Sequence, residues 1–349
     1  MSPRAKRTIL VTGGAGFIGS CLIKLWLRTD PDVSIINYDK LTYCGDLSRL
    51  KELRAERRYR FVRGDVADAA AVERIVRGCD GIVHVAAETH VDRSLLEGRA
   101  FFEANTIGTY NLIEAARRSG VRRMLLVSTD EVYGSRDKGS FTERDPLNPT
   151  SPYSISKAAA DLLATRYAGS IGVDCVVTRG SNTYGPYQYP EKVIPLFVSN
   201  ALHDRPLPLY GDGRQVRNWI HVEDHCRGIL TAYRKGKAGE VYNVSSPDSL
   251  RNIDLTRRIL RILGKPETLV RRVTDRIGHD RRYAIRPDKL RALGWRTRRA
   301  FPEGLRETVL WYRDHEAWWR RIKEKSEEFK RYYARAYAGR LMKAAQGGR

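Results

Sequence analysis

Tyr153 and Lys157, in Tyr153-Ser154-Ile155-Ser156-Lys157, follow an apolar run that ends in Ser128-Thr129-Asp130-Glu131. On a helix, side chains at i and i+4 share one face. A phenol with its ordinary pKa of about 10 is a poor base at neutral pH. An ammonium beside it favours the phenolate, so the pair is expected to bring Tyr153 toward the working range and remove a proton from a hydroxyl. Thr129 can hydrogen-bond that hydroxyl and share its proton with Tyr153. Asp130 and Glu131 add a second acid and a second base, which a simple alcohol oxidation does not need. Two adjacent acids often mark only a solvated loop or a helix cap. Here they fall between a glycine-rich loop and the Tyr/Lys segment, which favours chemistry. Packed together they are expected to split their pKa values, leaving one protonated acid and one ionised base.

The glycine-rich loop is Val11-Thr12-Gly13-Gly14-Ala15-Gly16-Phe17-Ile18-Gly19. Gly13 permits a tight turn, Gly16 lets the backbone approach a pyrophosphate, and Gly19 allows close helix–strand packing. The helix that follows offers unpaired N–H groups and a favourable dipole to phosphates. Asp39, about twenty residues further on, is placed to accept both ribose hydroxyls and to repel a 2′-phosphate. That favours NAD over NADP, although Lys40 next door is a cation that accommodates phosphate. Asp65 has two readings of equal weight, the adenine edge or a helix N-cap.

These residues need a scaffold. Short β-branched runs at 8–12, 34–38, 59–63, 81–86, 124–128 and 174–179 alternate with amphipathic stretches at 17–27, 69–76, 101–119 and 152–169. Such alternation predicts parallel pairing through right-handed crossovers. The expected fold is α/β, a doubly wound Rossmann-type parallel sheet with a smaller mixed α/β substrate-binding C-terminal lobe. Residues 1–180 form the NAD-binding part, with 220–245 returning to it through a strand at 241–244. The loop 180–190 is rich in Gly, Asn, Pro and Tyr, and short elements are expected at 206–210 and 219–222. Residues 181–219 and 246–320 form the substrate lobe. A single charged helix from 318 with a basic tail, 321–349, is expected to carry little chemistry.

The 349 residues are 42% hydrophobic and 30% charged, a globular composition. No apolar run approaches the ~20 residues of a membrane span. The basic start leads into an apolar run too short for a signal sequence. Five cysteines without paired spacing read as reduced thiols in a cytoplasmic protein, with neither a disulfide frame nor a metal site. The net charge of +22 suits either a polyanionic partner or a solvated Arg-rich surface. Without an aromatic-interleaved module, nucleic acid is disfavoured, and an acidic small substrate such as a nucleotide diphosphate fits.

From 8 to the Trp318-Trp319 pair the chain closely resembles the dTDP-glucose 4,6-dehydratases of the extended short-chain dehydrogenase/reductase superfamily. The resemblance rests on Asn37 to Tyr43, Ala86 to Ser94, Ser128 to Gly134, Ser181 to Lys192, Tyr210 to Arg217 and Asp275 to Tyr283. Thr129-Asp130-Glu131 separates it from related 4-epimerases and GDP-mannose dehydratases. The resemblance implies catalysis on tightly held NAD. Tyr153, with Thr129, takes the C4 hydroxyl proton as C4 is oxidised. Glu131 removes the C5 proton while Asp130 protonates the departing C6 hydroxyl, and C6 is then reduced.

It further implies that Phe17, Ile18, Asp39, Lys40, Leu41, Thr42, Asp65, Val66, Ala86, Ala87, Glu88, Thr106, Tyr153 and Lys157 contact NAD. Thr89, Asn182, Lys192, Pro208, Tyr210, Arg217, Asn252, Asp275, Arg276 and His279 would surround dTDP-glucose. Arg217 also makes independent sense as a bidentate diphosphate ligand. Thr183 stands where the family commonly has a second Asn, Ile277 where it has Pro, and Thr89 where it has Ser. A homodimer through the helix after Phe101 and the helix bearing Tyr153 is implied. Leu112, Ala115, Ala116, Ala159 and Leu163 either face that partner or lie inside the monomer. The rival readings are a dehydratase, epimerase or decarboxylase acting on UDP-, CDP- or GDP-sugars, and a non-catalytic NAD-binding protein.

Overall fold

The computed structural model describes residues 7–275 and 280–334. The expectations at Arg276, Ile277 and His279, and for the tail past 334, lie outside the described residues. Six strands, β1 (Arg7–Thr12), β2 (Val33–Asp39), β3 (Tyr59–Arg63), β4 (Gly81–His84), β5 (Arg123–Thr129) and β6 (Asp174–Gly180), pair in parallel. Farther along come β7 (Asn182–Tyr184), β8 (Leu207–Tyr210), β9 (Val216–His221) and β10 (Val241–Val244). β10 pairs with β6, giving the order β10-β6-β5-β4-β1-β2-β3. β11 (Ser249–Arg251) joins β9 and β7 in a three-stranded sheet, and β12 (Val270–Val273) pairs with β8.

The helices are α1 (Phe17–Thr29), α2 (Ala69–Val76), the single turns α3 (Val91–Ser94) and α4 (Gly98–Phe101), α5 (Gly108–Ser119), α6 (Pro152–Leu162), and the short α7 (Ala168–Ser170). Then follow α8 (Val193–Leu202), α9 (Val222–Lys235), α10 (Asn252–Leu263), α11 (Asp288–Ala292), α12 (Phe301–Asp314), α13 (Glu316–Lys325) and α14 (Glu327–Tyr333). Strand side chains alternate between faces, so a sheet covered on both sides is apolar at every position. Ile9 and Val11 of β1, with Leu125 of β5, pack under α1 and α9, while Leu10, Met124 and Leu126 pack under α2, α5 and α6. A third core joins α8, α10, α12 and Trp319 in the smaller lobe. No helix of the described residues is long and apolar enough to cross a membrane.

Several elements differ from expectation. The helix expected over 101–119 is interrupted by a wide π-type turn at Phe102–Ile107, and that over 152–169 by another at Leu163–Tyr167. Inside the first turn, Asn105 bonds the N–H and C=O of Glu88 and the Ser156 hydroxyl, an arrangement a regular amphipathic pattern does not reveal. The expected strand 81–86 stops at His84, because the Ala86 N–H turns to the Thr12 hydroxyl. The expected single helix from 318 breaks at Ser326, whose extended backbone and side-chain bond to the Phe329 N–H start α14. Leu112, Ala115 and Ala116 belong to the monomer core, and Ala159 and Leu163 are partly buried.

Two features fix α6, the helix that carries Tyr153 and Lys157. Ser151 and Ser154 form a reciprocal capping box with Pro152 at the first helical position. At its other end Asp161 pairs with Arg179 of β6 at 2.6 Å, both side chains buried. Removing either partner of such a pair strands a buried charge, at about 3–5 kcal/mol.

Candidate functional site

The strand order reverses between β1 and β4, and ligands of open α/β sheets bind in the crevice outside such a switch point. A cavity of about 350 Å³ lies there. Thr12 braces its floor by bonding His84 Nδ1 at 2.7 Å and the Ala86 N–H at 3.2 Å. Gly13 has φ +69°, and a Cβ there would come within 2.5 Å of the Ala86 nitrogen. A Cβ on Gly19 would meet the Gly13 carbonyl oxygen at 2.2 Å. Both positions therefore require glycine, and the first turn of α1 sits directly against the loop.

Asp39 closes this loop from β2. Its Oδ2 accepts the Ala15 N–H at 2.9 Å and its Oδ1 the Leu41 N–H at 2.8 Å. Burial raises its pKa and these two bonds oppose the rise. Lys40 pairs with Asp65 at 2.6 Å, so the neighbouring cation is already engaged by a carboxylate. Asp65 caps no helix, since Asp68 caps α2; its Oδ1 instead accepts the Ala67 N–H at 2.9 Å.

Gly13, Gly16, Phe17, Ile18, Gly19, Asp39, Lys40, Thr42, Asp65, Val66, Ala86, Ala87, Glu88 and Tyr153 all line this cavity, and Leu41, Thr106 and Lys157 do not. The Thr106 hydroxyl is spent on the Ser156 carbonyl at 3.1 Å. The Lys157 ammonium lies beneath the wall and donates to the Val127 carbonyl at 2.8 Å. The Leu41 N–H is bound by Asp39, with the residue in the left-handed region at φ 57°. At the cavity's far end, Ser128 Oγ, Ser181 Oγ, Asn182 Oδ1 and His225 Nε2 are buried without a hydrogen-bond partner among the described residues. A glycine cradle at one end and unsatisfied polar atoms at the other fit a dinucleotide carrying a polar ring. Thr183, where the family commonly has Asn, turns its hydroxyl to His225 Nδ1 at 2.7 Å.

β5 delivers the acids. Thr129 ends the strand, its hydroxyl accepting the Glu131 N–H at 3.2 Å and donating to Asp130 Oδ1 at 3.4 Å. Asp130 is 3% exposed, and its Oδ2 has no hydrogen-bond partner among the described residues. Burial, then the charge of Glu131, pushes its pKa up to about 8, against a smaller opposing pull from Arg217. That shift favours the protonated form of Asp130 at neutral pH. Tyr153 differs from expectation. Burial and then Glu131 drive its pKa well above the ordinary phenol value, with hydrogen bonding from Thr129 working the other way. Lys157 does not reverse this, because burial lowers the ammonium itself to about 8.

A second cavity of about 160 Å³ adjoins the first. Thr89, Glu131, Asn182, Glu191 and Lys192 line both, so Glu131 stands at the junction. Pro208, Tyr210, Arg217 and Asn252 line the second. Arg217 is buried and directional, donating to the carbonyls of Val216 and Asp280 and lying 4.1 Å over the Tyr283 ring. Asp275 lines neither cavity and accepts from Gln215 Nε2 at 2.8 Å. Glu191 was not anticipated. It accepts from the Tyr43 hydroxyl and from Arg93 Nε, both at 3.0 Å. Its only signal in the sequence is a lone acid in an aromatic, proline-containing loop.

The family model for GDP-mannose 4,6 dehydratase matches residues 10–308. A dTDP-glucose 4,6-dehydratase of Streptomyces niveus is 48% identical over 91% of this chain and 96% of its own length. The crystal structure of DesIV, a dTDP-glucose 4,6-dehydratase from Streptomyces venezuelae with NAD and TYD bound, matches with a TM-score of 0.89 at 49% identity, covering 90% of this chain and all of that one. UDP-glucose 4-epimerase from Thermotoga maritima matches more distantly, with a TM-score of 0.81 at 29% identity over 88% of this chain and 99% of that one. The epimerase shares the scaffold at lower identity, so scaffold and site together lead to one placement: the chain belongs to the dTDP-glucose 4,6-dehydratases of the extended short-chain dehydrogenase/reductase superfamily.

Proposed function

We propose that this chain converts dTDP-glucose to dTDP-4-keto-6-deoxyglucose and water. The observation that carries the reading is Asp130, a buried acid whose pKa is pushed up by burial and by its neighbour Glu131, the residue at the junction of the two cavities. Residues 1–180 with 220–245 hold NAD, and 181–219 with 246–320 hold the nucleotide sugar. The glycine loop and the start of α1 receive the pyrophosphate, Asp39 receives the adenosine ribose, and Arg217 receives the diphosphate of the substrate. When bound, NAD supplies the hydride acceptor for C4 and the donor for C6. Tyr153 takes the C4 hydroxyl proton with help from Thr129. A phenol pushed up by burial becomes an effective base only when the bound reactants lower its pKa, so Lys157 acts through the occupied site. The C4 ketone acidifies C5, Glu131 removes that proton, and Asp130 gives its proton to the C6 hydroxyl, which leaves as water. C5 is then reprotonated.

A homodimer through α5 and α6 accompanies this reading. Phe102, Ile107 and Tyr110 project from one segment, and Ile155 and Leu162 from the other, as exposed large apolar side chains. Such a patch on neighbouring helices marks an interaction surface. The five free cysteines suit a reducing cytoplasm.

Five outcomes follow from these assignments. Purified protein given dTDP-glucose without added NAD yields a product lighter by one water; turnover of UDP-glucose in its place would overturn the substrate assignment. Substituting Asp130→Asn lowers kcat by roughly 10²–10⁴-fold. In the native enzyme, kcat falls as pH rises through about 8, where Asp130 loses its proton. The native state keeps that proton while the unfolded chain releases it from about pH 4 upward, so this group's contribution to stability is lost between those values. Asp130→Asn therefore gains melting temperature relative to wild type as pH is raised from 5 to 8, and a constant difference would contradict the buried-acid assignment. Light scattering is expected to give twice the chain mass for wild type and a monomer for Leu162→Glu combined with Ile107→Glu.

A further inference from the structure

The family match ends at residue 308, while the chain continues through α13 and α14. α14 is folded onto the body, with Phe329 at 3% and Tyr332 at 5% exposure. Phe329 packs edge-on to Tyr189, their ring centroids 6.2 Å apart. The Tyr332 ring lies 4.7 Å from the Arg93 guanidinium and meets the His90 ring edge-on at 5.0 Å. Its hydroxyl donates to Asp92 Oδ2 at 3.4 Å. Glu328 accepts from Arg93 Nη1 at 2.8 Å.

Arg93 is the hub of this contact. It also lies 3.9 Å over the Tyr43 ring, and its Nε holds the buried Glu191 at 3.0 Å, which also accepts from the Tyr43 hydroxyl. A guanidinium held against two rings and bound by two carboxylates is fixed in position. Tyr43 and Tyr189 line the first cavity, His90 and Asp92 the second, and Glu191 both, whereas α14 lines neither. The helix therefore stands behind the wall that divides the cofactor and substrate cavities.

We propose that α14 is a clasp in which Glu328 and Tyr332 act as positioning residues, fixing Arg93 and through it Glu191 and Tyr43, so that the wall retains NAD throughout the catalytic cycle. The inference rests on the redox-neutral reaction proposed above. The cofactor that oxidises C4 must reduce C6 of the same substrate, so its escape between those events aborts turnover. Three segments that are distant in sequence, around Tyr43, Arg93 and Glu191, share the wall. One cation tied to a separate helix holds all three.

The test is the release of NAD from full-length, NAD-loaded protein diluted into an NAD-binding trap, without substrate. Glu328→Arg places a like charge against Arg93 from a side chain that is 47% exposed, and is expected to speed release roughly tenfold. Tyr332→Ala does the same, and Tyr332→Phe, which keeps the ring on Arg93 and His90, restores retention to within about twofold of wild type. Release at the wild-type rate from Glu328→Arg overturns the clasp whether or not Tyr332→Ala folds. A lowered melting temperature without faster release overturns it equally, because a merely structural helix gives that result. Wild-type protein that binds NAD but leaves dTDP-glucose unchanged would instead count against the proposed function.

Discussion

Two carboxyl groups on consecutive residues cannot both hold a negative charge when one of them is removed from water. Asp130 is enclosed at the end of β5 and Glu131 borders both cavities, so burial and like charge act together on Asp130. The proton it keeps is the one that the proposed elimination gives to the departing hydroxyl. Thr129 holds the pair in place, bonding the Glu131 N–H on one side and Asp130 on the other. Tyr153 feels the same charge, which adds to the rise that burial imposes on its pKa.

The scaffold serves this constraint at a distance. Apolar side chains on both faces of the sheet bury the strands whose ends form the site, and β5 thereby delivers Thr129 and its neighbours to the edge of the crevice. α6 is anchored by its capping box at one end and by the Asp161–Arg179 pair at the other, which sets Tyr153 across from the acids. The smaller lobe contributes Arg217 from β9 and Asn252 from the start of α10, converging on the second cavity.

Much of this was legible in the sequence because the signals are local. Glycines at fixed offsets, an acid after the second strand and a Tyr/Lys pair one helical turn apart each carry their own geometry. The parallel sheet followed from the alternation of patterns. What escaped were properties set by packing between distant segments. Periodicity marked Leu112, Ala115 and Ala116 as apolar, but only the burial of α5 against the sheet shows that they face inward. The outward face is carried by Ile107, Tyr110 and Leu162. Lys157 was expected to depress the Tyr153 pKa, yet desolvation acts on both and dominates. Asp65 looked like a possible cap and instead pairs with Lys40. The C-terminal segment looked like a plain charged helix; after a break at Ser326, Tyr332 packs on Arg93 and Phe329 on Tyr189.

The proposed elimination by Glu131 and Asp130 makes the tyrosine-dependent oxidation only its prelude. The most direct measurement is turnover of dTDP-glucose in D₂O by wild type and by Glu131→Gln, with the isotope at C5 of the product and of recovered substrate read by mass spectrometry and NMR. Wild-type product is expected to carry deuterium at C5, and Glu131→Gln to lose both product formation and exchange at C5. Product formed by Glu131→Gln at the wild-type rate with deuterium at C5 would contradict the proposed elimination.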